Sequence, residues 1–316
     1  MIKVGAVNID VSHPKVFSEV LAEGDRARYV AVYNDGFRGQ DEVEVFAKKM
    51  NLMVCSTLDE LADIVDVAFV HSCNWDKHLN YVQPFIDRNK PVFIDKPIVG
   101  NMKDIRKLQD MCANGAKIIG TSALRYCDEV VDIKNKLKEL NATPVHTIVT
   151  VGPDDFNYAI HAIELICGFY ESKPISCRFI GNTDVDSQHS ETYFIRFENG
   201  SSAQYINLIG KFTWFHTLMI TSNPQADADY CFAVDNSKFY KKMLDNVCDY
   251  VEGKENTMAT CEQMCDAVKI MLAGKASKEN GGIEVSLDSN LLEKTSFDGH
   301  AFESGYAARG RKIFVD

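Results

Sequence analysis

A lysine that directly follows an apolar run is the first residue whose position could serve chemistry. Asp95 and Lys96 come after Val92-Phe93-Ile94 and before Pro97. A proline biases the preceding residue toward extended backbone, and a lysine ammonium can polarise a hydroxyl or ketone oxygen and lower its pKa. Ligands of parallel α/β sheets bind beyond the carboxyl ends of the strands. We therefore expect Asp95 and Lys96 where a substrate meets a cofactor.

His161 is the second candidate for chemistry. It lies in a stretch from Asn157 to Glu164 whose spacing predicts a helix. Residues three and four positions apart share a helical face, so Asn157, His161 and Glu164 are predicted to line one side. The imidazole could accept a proton as hydride leaves a carbinol. The alternative is a core histidine whose ring is satisfied by Glu164 or Asn157.

Alternating strands and helices are predicted to position Lys96. The predicted strands cover residues 2–7, 29–33, 52–55, 65–71, 91–94 and 117–120, and the predicted helices cover residues 14–22, 41–50, a segment capped by Thr57, 76–88 and 102–114. Such alternation implies right-handed βαβ crossovers and a doubly wound parallel sheet. The fold class is therefore α/β, and residues just after each strand are the ones to examine.

The loop after the first strand would hold the phosphates of a dinucleotide in such a sheet. It contains Asn8, Ile9 and Asp10, and its one glycine, Gly5, lies within the strand. Asn tolerates the left-handed conformation that a tight turn needs, whereas the Asp10 carboxylate would repel a pyrophosphate. The alternative is that this loop only turns the chain.

Asn34 and Asp35 follow the second strand. An acid at this position usually accepts hydrogen bonds from ribose hydroxyls, which favours NAD over NADP. Arg38 follows closely and could instead meet a 2′-phosphate. The alternative is a polar loop without a ligand.

Ser72, Asn74 and His78 follow the fourth strand and could line a cofactor crevice. A lone histidine near the start of a helix, as at His78, is more often a surface or capping residue than a catalyst.

The pattern changes after residue 122, where strands follow one another without long helices between them. Strands are predicted at residues 145–151, 176–181, 192–197, 202–208 and 217–221, with helices at 128–140, 156–168, 239–253 and 261–273. Asn199-Gly200 between two alternating strands predicts a hairpin. We expect a first domain at residues 1–122, a second, mostly antiparallel α+β domain at 123–316, and an irregular tail from about residue 290.

Composition excludes several classes of partner. The net charge is −11, from 45 acidic and 34 basic residues, with no basic stripe for a nucleic acid. No apolar run reaches the roughly 20 residues of a membrane span. The start of the chain lacks the pattern of a secretion signal, so a cytoplasmic location is expected. Ten cysteines without a CxxC pair favour buried thiols over a metal site.

Four segments together resemble the Gfo/Idh/MocA family of dehydrogenases, in the family's order. Residues 89–97 look like its "GK-x-V-x-x-EKP" stretch, with Asp95 for the usual Glu, and residues 72–78 look like its "TPN…H" segment. Residues 120–126 resemble its "G…RY" segment. His161-Ala162-Ile163-Glu164 resembles its "H-x-x-D" catalytic motif. The lysine–proline pair and this histidine are the more specific of these features.

The resemblance implies a Rossmann domain followed by a domain with an open-faced sheet that often forms dimers or tetramers. It implies oxidation of a secondary hydroxyl of a sugar, inositol or related polyol with NAD or NADP. Lys96 would orient the substrate oxygen and His161 would be the general acid or base. We place Asn157 beside them as a catalytic residue and Arg125 among the substrate-binding residues, and we expect a homodimer or homotetramer.

Two departures from the family leave an alternative open. The glycine-rich loop is replaced by Asn8-Ile9-Asp10, and Asn157 stands where an Asp commonly precedes the histidine. Asn can hold a hydroxyl but cannot take a proton. The alternative is a non-catalytic ligand sensor or regulatory protein of the same fold. A metal-dependent hydrolase fits poorly, because His71 and His78 have a spacing that matches no common site.

Overall fold

Six parallel strands form the first sheet in the computed structural model, which describes residues 1–225 and 228–314. The strands are β1 (Ile2–Val7), β2 (Ala27–Tyr33), β3 (Met53–Val54), β4 (Val67–Val70), β5 (Val92–Ile94) and β6 (Ile118–Gly120). The helices between them are α1 (His13–Ala22), α2 (Gln40–Met50), α3 (Leu58–Ile64), α4 (Gln83–Ile86) and α5 (Met102–Ala113). The order β3-β2-β1-β4-β5-β6 confirms the predicted doubly wound sheet.

The central strands of this sheet are covered on both faces. Every residue of β4 and β5 is buried, which is typical of parallel strands packed between two layers of helices. The carboxyl ends of β1, β4 and β5 lie side by side, because these strands are neighbours. The residues that follow them therefore share one edge of the sheet.

The prediction of a single helix over residues 76–88 is wrong. The segment forms a 3₁₀ turn at His78–Asn80 and then the one-turn helix α4. Pro84 has no N–H for the carbonyl four residues before it, and its ring clashes with that carbonyl, so a continuous helix cannot pass through. The segment after β4 is consequently an irregular loop.

A second sheet of seven strands dominates the rest of the chain. Its strands are β7 (Pro144–Val151), β8 (Pro174–Val185), β9 (Gln188–Phe197), β10 (Ser202–Ile209), β11 (His216–Thr221), β12 (Tyr230–Ala233) and β13 (Val285–Ser286). The helices are α6 (Asp128–Glu139), α7 (Ala159–Phe169), α8 (Phe239–Val251), α9 (Cys261–Glu279) and α10 (Gly299–Ala308). Only β7 and β10 pair in parallel within the order β12-β11-β7-β10-β9-β8-β13, so the mostly antiparallel sheet is confirmed.

One face of the second sheet is covered and the other is open. Helices α7 and α9 pack against the covered face. On the open side, Leu218 and Ile220 of β11 are 42% and 44% exposed. None of the helices in residues 1–225 and 228–314 combines the length and the apolar character that a bilayer span requires.

The tail is more regular than the sequence analysis predicted. It contains α10, whose first turn is capped by the Asp298 carboxylate accepting the N–H of Ala301 at 2.8 Å. Phe302 and Tyr306, four residues apart and therefore on one face, stack at 5.7 Å. This helix returns to the first domain and packs at the carboxyl ends of its strands.

A buried ion pair joins the end of the first sheet to α7. The Arg125 guanidinium donates to the Glu164 carboxylate at 2.5 Å, and the two side chains are 6% and 1% exposed. The Thr121 hydroxyl, just after β6, donates to the same carboxylate at 2.8 Å. The predicted boundary at residue 122, which stays a prediction, lies beside this pair.

Substitution of Glu164 by Ala should destabilise the fold strongly, because it leaves a buried guanidinium without its counter-charge. We expect a loss of about 3–5 kcal/mol in the free energy of unfolding, measured by urea denaturation. The matched control is Glu139→Ala, since Glu139 is 67% exposed in its pair with Lys136 and should change stability by less than about 1 kcal/mol. Equal losses in the two variants would contradict the role given to the buried pair.

Candidate active site

Lys96 connects the end of the first sheet to the segment that precedes α7 in the second domain. It follows β5, and its ammonium donates to the backbone oxygen of Asn157 at 3.0 Å and to the Asn157 side-chain oxygen at 2.9 Å. The ammonium also lies 5.4 Å from the centre of the Tyr158 ring. Burial lowers the pKa of Lys96, and the nearby carboxylates of Asp95 and Asp154 oppose that shift.

His161 lies in the first turn of α7, with its Nδ1 atom 2.6 Å from the hydroxyl of Ser122. Burial lowers its pKa well below the ordinary value, and the positive charges of Lys96 and His13 lower it further. The ring is therefore neutral at pH 7. If Nδ1–H donates to Ser122, the Nε2 lone pair is left to accept a proton.

The structure brings Lys96, Asn157 and His161 together, but Asn157 has a different position from the predicted one. Helix α7 begins at Ala159, so Asn157 precedes it and shares no helical face with His161. The Asp154 carboxylate causes this late start, because it accepts the N–H of Tyr158 at 2.7 Å. Asn157 consequently holds Lys96 in place, and the hydroxyl of Ser122, which sequence reasoning missed, is the partner of His161.

Arg125 is not part of this group of residues. Its guanidinium is turned toward Glu164 of α7, and it lines a separate cavity with Cys167 and Tyr170. Glu164 likewise points toward Arg125 rather than along the face of His161. The structure therefore gives Arg125 a role in packing and does not bring it to the proposed substrate.

Asp95 is buried between two histidines instead of lining the crevice as predicted. Its Oδ2 atom lies 2.5 Å from Nδ1 of His13 and 3.1 Å from Nδ1 of His71, and its Oδ1 accepts the N–H of Lys96 at 2.8 Å. Burial alone would raise the pKa of Asp95, but His13 and His71 hold it well below its usual range. Asp95 thus fixes the backbone at Lys96. His13 was not among the predicted site residues, and its position at the start of α1 is the signal by which the sequence could have indicated it.

The loop after β1 is buried and tightly held. Asn8 has a φ of 66°, in the left-handed region expected of it, and its side-chain oxygen accepts the N–H of Asp35 at 2.9 Å. The N–H of Ile9 donates to the Asn34 side chain at 3.2 Å. Asn8, Ile9 and Asn34 therefore link the ends of β1 and β2.

The Asp10 carboxylate points inward, away from the solvent side of its loop. Its Oδ2 accepts the N–H of Cys73 at 3.1 Å, and its Oδ1 would lie 2.0 Å from a Cβ at Gly36, so only glycine fits there. Burial raises the pKa of Asp10 to about 6, and the negative charge of Glu303 adds to this effect. Repulsion of a pyrophosphate by Asp10 is reduced but not removed.

The end of β2 favours a cofactor without a 2′-phosphate. Asp35 is exposed, where ribose hydroxyls can reach it. Arg38 is buried and turned inward, with Nη1 donating to Glu42 at 2.9 Å and Nη2 donating to the backbone oxygen of Asp10 at 3.0 Å. Arg38 is therefore unable to meet a 2′-phosphate in this conformation.

The residues after β4 differ in their access to a ligand. His78 is fully buried, with its ring nitrogens 3.0 Å from the backbone oxygen of Ile98 and 2.8 Å from that of Ser72. It fixes the loop and does not line the crevice, in contrast to the prediction. The Ser72 side chain is buried beside the backbone of Asn74.

The groove for a dinucleotide fits the adenosine end and is covered at its centre by α10. The exposed Asp35 suits a ribose, whereas the turn at Asn8 is buried. The Asn74 amide, at the centre, donates to Glu303 of α10 at 2.9 Å and lies 3.0 Å from Nδ1 of His300. A dinucleotide can therefore reach Asn74 only after α10 has shifted.

The comparisons with known proteins agree with this arrangement. Residues 4–122 match the model of the Gfo/Idh/MocA proteins, described as an oxidoreductase family with an NAD-binding Rossmann fold. The match covers the first domain, which is similar to the cofactor-binding domain of this family. The resemblance drawn from the motifs is thus confirmed. The expectation of a nicotinamide dinucleotide as the cofactor is confirmed as well. No curated protein matches the chain.

Solved structures share the fold of the whole chain at low identity. The myo-inositol dehydrogenase from Lactobacillus casei, in complex with NAD(H) and myo-inositol, is 14% identical with a TM-score of 0.75, over 92% of this chain and 97% of that chain. A scyllo-inositol dehydrogenase from the same organism, with NAD(H) and scyllo-inositol, is 15% identical with a TM-score of 0.73, over 92% of this chain and 100% of that chain. A probable dehydrogenase from Thermotoga maritima is 16% identical with a TM-score of 0.74, over 91% of this chain and 99% of that chain.

The protonation state of His161 can be measured by NMR on protein with ¹⁵N-labelled histidine. We expect its pKa to lie well below the usual value, and Lys96→Met should raise that pKa because one neighbouring positive charge is removed. Burial should keep it below the ordinary value even then. The control is His189, whose pKa is raised by hydrogen bonds to Asp184 and Glu191. A wild-type His161 that titrates at or above the usual value would refute this assignment.

Proposed function

We propose that the protein is an NAD-dependent oxidoreductase that transfers a hydride between the nicotinamide and a secondary hydroxyl of a sugar, inositol or similar polyol. The observation that carries this proposal is the placement of a partly buried ammonium, Lys96, near a neutral imidazole, His161, where the end of β5 meets the start of α7. Both lie near the carboxyl end of β5, where ligands of such sheets bind.

Lys96 is oriented by Asn157 for contact with a substrate oxygen. An ammonium has three N–H donors, and two of them are used by the backbone and side-chain oxygens of Asn157. The third donor is left for the hydroxyl of a substrate, where it stabilises negative charge on the oxygen. The lowered pKa of Lys96 makes its proton more acidic and strengthens this polarisation.

His161 accepts the hydroxyl proton in this proposal. Its neutral ring can act as a base at Nε2, while Ser122 fixes the ring through Nδ1 and stabilises the resulting imidazolium. Asn157 cannot take a proton, so His161 is the base among these three predicted residues. When bound, NAD supplies the hydride acceptor of the reaction.

NAD is favoured over NADP by the end of β2. Asp35 offers a carboxylate for ribose hydroxyls and would repel a 2′-phosphate. Arg38, which could have met that phosphate, is bound to Glu42 and to the backbone of Asp10. The polyol class is supported by solved relatives of the fold that hold myo-inositol and scyllo-inositol.

A non-catalytic sensor or regulatory protein is the second candidate. It is favoured by α10, which covers the centre of the dinucleotide groove through Asn74, and by Asn157 in place of an acid. This alternative predicts small-molecule binding without hydride transfer, so one assay separates the two functions.

The assay measures NAD reduction at 340 nm with inositols and sugars in turn. We expect Lys96→Met and His161→Asn each to lower kcat/KM by about 10²–10⁴-fold, because each removes a group used in proton transfer or in stabilising the oxygen. The same assay with NADP should give a lower rate than with NAD.

The matched controls for these variants are Lys107→Met, at an exposed lysine, and His189→Asn, at a histidine that is 36% exposed on β9. They should keep the wild-type rate. Full activity in both Lys96→Met and His161→Asn would overturn the proposed site. A wild-type protein that binds a polyol but reduces no NAD with any of them would favour the sensor.

The cellular setting and assembly are part of the proposal. The ten cysteines are free thiols, which suits a reducing compartment such as the cytoplasm. The open face of the second sheet, with Leu218 and Ile220 exposed, suits a homodimer or homotetramer in which this face is covered.

Leu218→Glu should weaken such an assembly, because it places a charge on the covered face. We expect light scattering to show a shift from dimer or tetramer toward monomer at equal concentration. Val54→Glu is the matched control, since Val54 is also 42% exposed but lies on β3 of the first domain. A wild-type monomer, or an unchanged assembly in Leu218→Glu, would contradict the proposed interface.

A further inference from the structure

Glu303 of α10 binds two donors at the end of β4. Its carboxylate accepts from the Lys77 ammonium at 3.0 and 3.1 Å and from the Asn74 amide at 2.9 Å. Both donors belong to the loop that follows β4, at the edge of the sheet where a dinucleotide would lie. An anion therefore already occupies the centre of the groove, and it comes from the chain itself.

The contacts of Glu303 are those that a phosphate would use. Phosphate oxygens in proteins are bound by lysine ammonium groups as point charges and by side-chain amides. The Glu303 carboxylate lies close to the loop after β1, because side-chain ligand atoms of Asp10, Cys73 and Glu303 all come within 4.8 Å of one another. The position is thus that of the phosphates in a dinucleotide fold.

Glu303 and a bound pyrophosphate would compete for the same place. The Glu303 carboxylate lies near that of Asp10, whose pKa is raised first by burial and further by the negative charge of Glu303. A third anionic group would add to the repulsion and would find Lys77 and Asn74 engaged. The groove can hold the Glu303 carboxylate or the pyrophosphate, but not both.

We propose that Lys77 and Asn74 bind the pyrophosphate of the dinucleotide, and that Glu303 is an internal anion that occupies these two donors until the dinucleotide displaces α10. This inference rests on the proposed function, since it requires a dinucleotide in the groove. It assigns Lys77, which the sequence motifs did not single out, to cofactor binding.

Displacement of α10 acts first on the Lys77–Glu303 ion pair, because solvent reaches both side chains, which are 31% and 15% exposed. The helix is also held by the N–H of Gly299, which donates to Asp76 at 2.8 Å, and by the Phe302 ring, 5.0 Å from Trp75. The Tyr306 ring lies 6.1 Å from Phe37. A dinucleotide must exchange these contacts for its own, so the displacement of α10 is part of the free energy of binding.

Trp75 reports on the position of α10. It is 3% exposed, its ring contacts Phe302, and its indole N–H donates to the backbone oxygen of Phe297 at 2.7 Å. The other tryptophan, Trp214, is 50% exposed and can be replaced by Phe. Displacement of α10 should therefore shift the emission of Trp75 to longer wavelength in the Trp214→Phe protein.

The first test compares NAD affinity by calorimetry in the wild type and Glu303→Gln. This substitution removes the competing charge and keeps the shape, so we expect Kd to fall by about five-fold, within the range of a partly exposed ion pair. The matched control is Glu293→Gln, because Glu293 pairs with Arg106 on the surface and should bind NAD as the wild type does. Unchanged or weaker binding by Glu303→Gln would overturn the inference.

The second test adds Lys77→Met to Glu303→Gln, so that Lys77 has no internal partner to lose. We expect about ten-fold weaker NAD binding than in Glu303→Gln alone, since a phosphate contact is removed. Equal affinity in the two proteins would show that Lys77 does not bind the cofactor.

The third test adds ADP-ribose, which has the pyrophosphate but no nicotinamide to quench fluorescence, to the Trp214→Phe protein. A red shift of Trp75 emission on binding is expected, whereas binding without a shift would show that α10 stays in place. If NAD and ADP-ribose bind neither the wild type nor Glu303→Gln, the proposed function fails and this inference with it. If they bind and only the predicted differences are missing, the proposed function stands and the inference alone is wrong.

Discussion

Hydrogen bonding of the partly buried Lys96 ammonium to Asn157 is the interaction on which the arrangement of the site depends. A cation removed from water must find acceptors, or its charge becomes costly. Those acceptors lie on Asn157, in the other domain, so the end of β5 and the segment before α7 are held together at one point. Asp95 fixes the backbone of Lys96, because its carboxylate accepts the N–H of Lys96.

The ionisable groups of the site have different electrostatic environments, and this difference suits proton transfer. The Lys96 side chain donates to two oxygens of Asn157. Burial and neighbouring positive charge hold the pKa of His161 well below its ordinary value, and His13 and His71 hold the pKa of Asp95 well below its usual range. A base and an electrophile can therefore coexist near one substrate oxygen. The same physical effects, burial and charge, set the state of all three groups, and together they account for the division of roles that the proposal gives them.

Much of the fold could be predicted from local sequence. The apolar runs of β4 and β5 and the hairpin at Asn199-Gly200 follow from short-range preferences, and so does the place of Lys96 at a strand end. The residues that depend on long-range contacts could not be placed. The Arg125 side chain points toward Glu164 and not toward the proposed substrate. Helix α7 begins later than predicted because Asp154 holds the preceding turn, so Asn157 does not share a helical face with His161.

Sequence reasoning also missed α10, because an amphipathic segment of ten residues near the end of a chain carries little local signal. Its position over Asn74 depends on a hydrogen bond and an ion pair between residues more than two hundred positions apart. These contacts make the cofactor groove a place where the chain competes with its own ligand. The difference between an enzyme and a sensor of this fold then depends on whether the groove opens.

Transfer of deuterium tests the central claim most directly. A polyol that carries deuterium on its carbinol carbon is incubated with the protein and NAD, and the reduced cofactor is analysed by mass spectrometry. The account predicts NADH that carries the deuterium, because the hydride moves directly from the substrate carbon to the nicotinamide. NADH without deuterium, or no NADH with any polyol that binds the protein, would contradict it.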